Sequence, residues 1–282
     1  MSQEQGALLD GLDDGEVIPS YGLIGWIRNF IDKTLVITEL EARKLRHDPT
    51  EIFTRAAQPA LWMLVFGEVF TRARAIPTGN FRYIDFMAPG ILAQSVLFIA
   101  IFYGIAIIWE RDLGIVHKFL ASPTPRSALV LGKAFSAGIR AISQAVIIYG
   151  LSLLLGVKLS WDPLSLVGII AVIVIGAGLF STFSLIVACI VKTRERFMGI
   201  GQVLTMPLFF ASNAIYPISI MPDWLKLLAH INPLTYEVDA LRALMLVGGT
   251  SMYGIPFDFA ALISSLIVLV VIGARIYPTV AM

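Results

Sequence analysis

Long apolar runs without a single charged side chain constrain this sequence more than any other feature. Residues 86–109 and 163–191 contain no Asp, Glu, Lys or Arg. A run of about twenty apolar residues is long enough to cross the hydrocarbon core of a bilayer. Only 15% of the 282 residues are charged and 57% are hydrophobic, whereas a soluble domain carries about a quarter charged residues. The sequence therefore predicts an integral membrane protein.

Apolar runs predict six membrane-spanning helices, because lipid offers no partner for free backbone N–H and C=O groups. The runs lie at about 52–70, 86–109, 127–157, 163–191, 197–221 and 257–276. The predicted fold class is thus all-α, with residues 51–282 forming a transmembrane domain. Residues 1–20 are polar and acidic, so we expect a flexible N-terminal tail there and not a signal peptide.

Residues 21–50 show a helical pattern instead of an apolar run. Apolar side chains fall at helical spacing on one face, at Leu23, Trp26, Ile27, Phe30 and Ile31. Charged side chains take the other face. Such an amphipathic helix is typical of the membrane interface, with Trp26 at headgroup depth. A helix packed on a partner protein is the alternative.

Lysine and arginine are unevenly distributed between the predicted loops. Six spans place both termini on one side, and that side carries most of the basic residues, among them Arg43, Lys44, Arg46, Arg111, Lys118, Lys192, Arg194 and Arg196. The positive-inside rule therefore predicts cytoplasmic termini in the cell membrane. Arg72, Arg74 and Arg82 lie on the opposite side and run against this bias, but they are outnumbered.

The segment 222–249 is apolar but contains charges that would be costly at the bilayer centre. Asn232 and Pro233 predict a helix start, with Asn as the N-cap and Pro at the first helical position. We expect two short re-entrant helices that dip into the outer leaflet. Their marker residues are Trp224, Asn232, Pro233 and Leu234. The alternative, a seventh span, would place the C-terminus outside the cell.

No catalytic, metal or nucleotide motif is complete in the sequence. The single Cys189 excludes a disulfide framework, and the three histidines lie on separate segments without metal-ligand spacing. The segment Ser127–Phe135 mimics the end of a phosphate-binding loop. It has Ser127 where glycine is needed and Ala134 where a hydroxyl would bind magnesium. We therefore expect no enzyme activity, no cofactor bound by this chain and no nucleic-acid partner.

Four segments in order carry a family resemblance: "ELEARKLRHDPTEIFTRAAQPALWMLVFG", "FRYIDFMAPGILAQSVLF", "WERDLGIVHKFLASPTPRSALVLGK" and "YPISIMPDWLKLLAHINPLTYEVDALRALM". Together they resemble type-2 ATP-binding-cassette exporter permeases, and particularly the daunorubicin-resistance type of drug-efflux permease. The resemblance implies six spans with an interfacial N-terminal helix and two short outer helices. It also implies a complex of two permease subunits, here a homodimer, with two separate ATPase subunits that hold ATP and magnesium.

The resemblance implies a function as well. The chain would be the permease of an exporter that moves hydrophobic or amphipathic, drug-like compounds out of the cell. Export of a lipid-linked glycan or polysaccharide is the alternative, since aromatic rings along a path also suit sugars. An intramembrane enzyme or a stand-alone channel is less favoured, because the middles of the spans are aliphatic and aromatic where such proteins carry ionisable residues.

Residues 110–126 form a charged, proline-terminated break between apolar runs. Leu113, Val116 and Leu120 recur on one helical face. From the pattern alone this segment is either a loop folded back on its own spans or a docking helix. The resemblance implies a coupling loop inserted into a groove on the ATPase. Its implied coupling residues are Glu110, Arg111, Asp112, Leu113, Gly114, Val116, Phe119 and Leu120.

A second set of candidate residues concerns the translocation path or the interface between two permease copies. The spans carry aromatic and Met residues that suit an apolar path, and the resemblance implies that the first and fifth spans form the shared interface. The candidates are Phe66, Phe70, Phe98, Phe102, Met206 and Phe209. Packing within the protomer or contact with lipid is the alternative for each.

Overall fold

The computed structural model describes residues 32, 36, 39, 57–74, 76–79, 81–116, 126–191 and 193–277. Its helices are α1 (57–73, with a π-helical stretch at Trp62–Gly67), α2 (Tyr83–Asp112), α3 (Arg126–Leu154), α4 (Pro163–Ile190), α5 (Arg194–Phe210), α6 (Asp223–Ile231), α7 (Pro233–Met245) and α8 (Ile255–Ile276). The predicted all-α fold class is confirmed for these residues. The predicted tail 1–20 lies outside them, and of the predicted helix 21–50 only Asp32, Val36 and Glu39 are described, as helical and exposed.

Four of these helices are long and apolar enough to cross a membrane, within the part of the chain that the structure describes. They are α2, α3, α4 and α8, which correspond to the second, third, fourth and sixth predicted spans. The apolar stretch of α2 is 78% buried, against 17% for α8. Helix α2 packs against α1, α3, α4, α5 and α7. It is therefore the central helix, and α8 lies at the periphery.

The fifth predicted span differs from the structure in length. Helix α5 begins at Arg194 and ends at Phe210, whereas the apolar run continues to Met221. Residues 211–217 are irregular, and a single 3₁₀ turn follows at Ile218–Ile220. Pro207 lies inside the last turn of α5, where its missing backbone N–H removes the usual helical donor to the Val203 carbonyl and weakens this end of the helix. Apolar composition alone does not reveal such an end.

Two glycines let other segments approach α2 closely. Gly90 lies against the backbone of Ala214, in the irregular segment after α5, and Gly104 lies against Ser184 and Phe197. The Ser184 hydroxyl donates to the Ile101 carbonyl at this contact. A Cβ atom at either glycine would overlap these neighbours. The absence of a side chain therefore sets how closely α2 meets α4, α5 and the segment that follows α5.

We expect Gly90→Ala to destabilise the protein by about 1–3 kcal/mol, since overpacking a close contact costs roughly that much. Gly150→Ala is the matched control, because a Cβ built at that exposed position on α3 has no neighbour within 4 Å other than the adjacent backbone of its own helix. Removing a helical glycine there is expected to stabilise by about 1 kcal/mol. Thermal unfolding of both variants in the same detergent measures the difference. An unchanged melting temperature for Gly90→Ala would contradict the close approach.

Candidate functional site at the two ends of the bundle

Helix α2 ends where α3 and α5 begin, and we call this end of the bundle, around Asp112 and Arg194, the coupling end. There Lys133 of α3 donates to Glu110 of α2 at 2.5 Å. The two side chains are only 4% and 7% exposed. A buried pair of opposite charges is costly to disrupt, because either partner left alone is an uncompensated charge. Glu110, one of the implied coupling residues, is thus directed into the protomer and fixes α2 to α3.

A second ionic contact joins the coupling end to α5. The Asp112 carboxylate accepts hydrogen bonds from Arg111 at 3.0 Å and from Arg194 at 2.7 Å. The Arg194 guanidinium also lies 3.4 Å from the centroid of the Trp109 ring. Arginine favours such a combination of a carboxylate and an aromatic face. Two of the implied coupling residues, Arg111 and Asp112, therefore form a polar layer that holds the start of α5 to the end of α2.

The structure separates Leu113 from Val116, which the sequence pattern placed on one helical face. Helix α2 continues to Asp112, and Gly114 has a positive φ of 69° that ends it. Leu113 is 67% exposed, whereas Val116 is fully buried in an apolar cluster with Ile107. The glycine, a common residue just after a helix end, is the local signal for this break. Phe119 and Leu120 lie outside the described residues.

The aromatic candidates of α1 and α5 lie at different depths. Phe66 is partly exposed and stacks on Trp62 at 4.4 Å between ring centroids, and Phe70 packs near Tyr83 at 5.3 Å. Phe209 is buried within the protomer and meets the edge of Trp62 at 6.1 Å. Met206 is half-buried. The ring of Trp62 therefore joins α1 to α5, and Phe209 lies behind the surface that Phe66 reaches.

Phe98 and Phe102 form a separate pair on α2. Their ring centroids are 6.1 Å apart, and both side chains are half-buried. They are four residues apart and therefore lie on one face of α2. This face interrupts an otherwise buried helix. The pair is thus available to a molecule or subunit that contacts α2.

Helices α6 and α7 meet at Asn232, and we call them together with this residue the hairpin. The predicted cap is confirmed: the Asn232 side-chain oxygen accepts from the Leu234 backbone N–H at 3.0 Å, and Pro233 is the first residue of α7. The same side chain donates to the carbonyls of Leu208 at 2.6 Å and Ala211 at 2.9 Å. Asn232 therefore caps the start of α7 and the end of α5 at once.

The remaining predicted residues of the hairpin face in opposite directions. Leu234 is fully buried, whereas Trp224 on α6 is 66% exposed. Helix α7 continues away from Asn232 along α4, so that Leu244 reaches Gly168, and Leu246 pairs with Leu159 in an isolated β-bridge. The buried part of the hairpin is therefore α7, and α6 presents apolar and aromatic side chains at the surface.

Buried charges on α7 bind the backbone of two irregular segments, one after α5 and one before α8. Arg242 is 7% exposed, donates to the Asn213 carbonyl at 2.7 Å, and lies 3.9 Å from the centroid of the Phe86 ring. Asp239 accepts from the backbone N–H groups of Met252 at 2.7 Å and Tyr253 at 3.2 Å. Sequence reasoning identified these charges as costly in lipid. Their partners are backbone groups of distant segments, which no local pattern reveals.

The fold and these two ends define a class: a multi-pass membrane protein built as an α-helical bundle, with an ionic contact between Asp112 and Arg194 at one end and a helical hairpin whose second helix is buried at the other. The family follows from sequence comparison. Residues 33–246 match the ABC-2 type transporter family, and the chain belongs to that family of transporter permeases.

Named relatives cover most of the chain. A transport permease, ycf38, of Cyanophora paradoxa is 26% identical over 248 residues, which span 86% of this chain and 85% of the relative. The daunorubicin resistance ABC transporter permease protein DrrB1 of Streptomyces coeruleorubidus is 24% identical over 200 residues, 71% of this chain and 70% of the relative. The inner membrane transport permease YadH of Escherichia coli K12 is 22% identical over 188 residues, 64% and 70% of the two chains.

We expect Lys133→Met to destabilise the protein by about 3–5 kcal/mol, because it removes the cation that donates a hydrogen bond to the buried Glu110 carboxylate. The double variant Glu110→Leu/Lys133→Met is expected to recover most of that loss, since a well-packed apolar pair replaces the ionic one. Unfolding of the parent, both single variants and the double variant gives the coupling energy directly. Additive effects of the two single changes would show that the pair does not act as a unit.

Proposed function

We propose that the chain is the permease subunit of an ATP-binding-cassette exporter that moves hydrophobic or amphipathic, drug-like compounds out of the cell. Two copies of the permease form a homodimer with two copies of a separate ATPase, which holds ATP and magnesium. The family match over residues 33–246 carries this proposal. The drug-resistance name of the Streptomyces coeruleorubidus relative supports the substrate class.

The coupling end supplies a mechanism by which a partner could drive the permease. Leu113 is an exposed apolar side chain directly after α2, and the buried pair Glu110–Lys133 and the Asp112–Arg194 contact tie this point to α3 and α5. A partner that binds and moves the loop therefore moves three helices together. Docking of the ATPase on this loop, followed by nucleotide-driven closure, is the role that we assign to it.

An apolar surface on α1 and α5 is the observation that supports an interface with a second permease copy. Its side chains are more than 40% exposed and belong to the two spans that the resemblance places at the dimer interface: Leu64, Val65, Phe66, Val69, Met198 and Val203. Large exposed apolar patches mark surfaces that contact another protein or lipid. In the proposed dimer Phe66 lies in the interface, and Phe209 supports it from behind.

Co-reconstitution with the ATPase in liposomes tests the proposal. Hydrophobic drug-like compounds are expected to stimulate ATP hydrolysis and to accumulate on the side opposite to the ATPase. The purified permease alone is expected to hydrolyse no ATP. Stimulation by a lipid-linked glycan, without any response to drug-like compounds, would replace the proposed substrate class by the alternative one.

We expect Leu113→Asp to weaken binding of the ATPase by about 10- to 100-fold, because a buried leucine at a docking site contributes roughly 1.5–3 kcal/mol. Leu227→Asp on α6 is the matched control, since Leu227 is exposed to a similar degree, 64% against 67%, but lies on the hairpin. Co-purification of the ATPase with each variant measures docking. Equal recovery with Leu113→Asp and with the parent would contradict a docking role for this residue.

We expect the hairpin to face the outside of the cell and the termini to face the cytoplasm. In a Cys189→Ser background, a cysteine introduced by Lys226→Cys on α6 should react with a membrane-impermeant thiol reagent in intact cells. A second variant, Arg111→Cys at the coupling end, should react only after lysis. The reverse pattern would contradict the proposed topology.

A further inference from the structure

A cleft of ≈ 390 Å³ opens between α4, α5, α7 and α8. Its walls are formed mainly by apolar and aromatic side chains, including Phe180, Phe183, Leu208, Pro233, Val268 and Leu269. Phe180 is buried at 2% exposure, whereas Val268 on the peripheral helix α8 is 57% exposed. The cleft therefore leads from the lipid-facing side of the bundle toward its interior. Its volume lies within the range of sites that hold drug-sized molecules.

The carboxyl group of Glu237 on α7 is an unpartnered acid close to this cleft. The residue is 0% exposed, and neither carboxyl oxygen has a hydrogen-bond partner among the described residues. Its carboxyl group lies on Gly176 of α4, so that a Cβ atom built there would be 2.5 Å from the carboxyl carbon. The nearby cation on the same helix, Arg242, is directed to the Asn213 carbonyl. A buried acid without a partner is strongly disfavoured as an anion and keeps its proton. A cation that comes close stabilises the carboxylate form and so makes loss of that proton more favourable.

The cleft and this acid belong to one seam between α4 and α7. Phe180, a wall of the cleft, lies four residues after Gly176 on α4, and Pro233, another wall, lies four residues before Glu237 on α7. Residues four apart lie on the same face of a helix, and one turn advances about 5.4 Å. The inner end of the cleft is therefore about one helical turn from the carboxyl group. At this distance in a medium of low dielectric constant, a positive charge in the cleft strongly favours the ionised form of the acid.

We propose that the cleft and Glu237 together form a binding site for a lipophilic cation. The apolar walls hold the hydrophobic body, and the rings of Phe180 and Phe183 face the positive charge, as cation–π contacts allow. As the cation enters, the Glu237 carboxyl group releases its proton to water in the open cleft, and the resulting carboxylate balances the positive charge. An uncharged molecule or a lipid acyl chain would fill the apolar walls but leave the acid unused. The site makes lipophilic cations the substrate class of the proposed exporter. This inference rests on that proposed function.

Binding to the purified permease, without the ATPase, tests the site. The probes are tetraphenylphosphonium, a lipophilic cation without an acidic proton, and triphenylphosphine oxide, an uncharged molecule with a similar aromatic body. The parent protein is expected to bind the cation at least about tenfold more tightly. Glu237→Gln is expected to remove this preference and to leave binding of the uncharged probe unchanged. Glu195→Gln, which removes an exposed carboxylate from α5, is the matched control and should retain the preference.

Two further measurements complete the test. Val268→Trp is expected to fill the mouth of the cleft and to weaken the binding of both probes at least about tenfold. The melting temperature of each variant verifies that it is folded. Equal affinity of the parent for the two probes, or an unchanged preference in Glu237→Gln, overturns the role of the acid. Unchanged binding of both probes to Val268→Trp overturns the assignment of the cleft as their binding site. Because no ATPase is present, failure of the exporter proposal would appear separately, as an absence of stimulated ATP hydrolysis in liposomes.

Discussion

The hydrogen bonds of the Asn232 side chain hold together the part of the bundle that has no regular secondary structure. The amide donates to two carbonyls at the end of α5 and accepts from the first free N–H of α7. Inside an apolar bundle, each of these backbone groups would cost several kcal/mol if left unpaired. Arg242 satisfies a further carbonyl, that of Asn213, in the same segment. The early end of α5 and the buried position of α7 both depend on this arrangement, and the seam between α4 and α7 follows from it.

Local sequence patterns predicted the parts of this structure that depend on local physics. Helices α2, α3, α4 and α8 follow from apolar runs of sufficient length, because a span is decided by its own composition. The helix start at Asn232 and Pro233 was predictable for the same reason, since the cap is formed by neighbouring residues. The coupling residues and the drug-like substrate came instead from a resemblance of ordered segments. Sequence comparison shows the permease family directly, and the substrate stays a proposal.

Features that depend on contacts between distant residues could not be predicted. Glu110 pairs with Lys133 across two helices, so its burial is invisible in the pattern of either one. The common helical face assumed for Leu113 and Val116 ignored the break at Gly114, although a glycine after a charged helix end is a recognised stop signal. Glu237 belongs to segment 222–249, whose charges are costly at the bilayer centre, and no pattern in that segment indicates where its carboxyl group lies. In the structure it lies on Gly176, a residue of α4 whose missing side chain provides the space.

Helix α5 has a mechanical consequence for the whole molecule. One end is fastened to α2 through Arg194, Asp112 and the Trp109 ring, and the other end is fastened to the hairpin through Asn232. Its 17 residues extend about 25 Å at 1.5 Å per residue. A helix of this length is stiff along its axis. A displacement of Arg194 along that axis is therefore transmitted to the contact with Asn232. Helix α5 is thus a direct connection between the coupling end and the hairpin, in addition to the contact of α2 with α7.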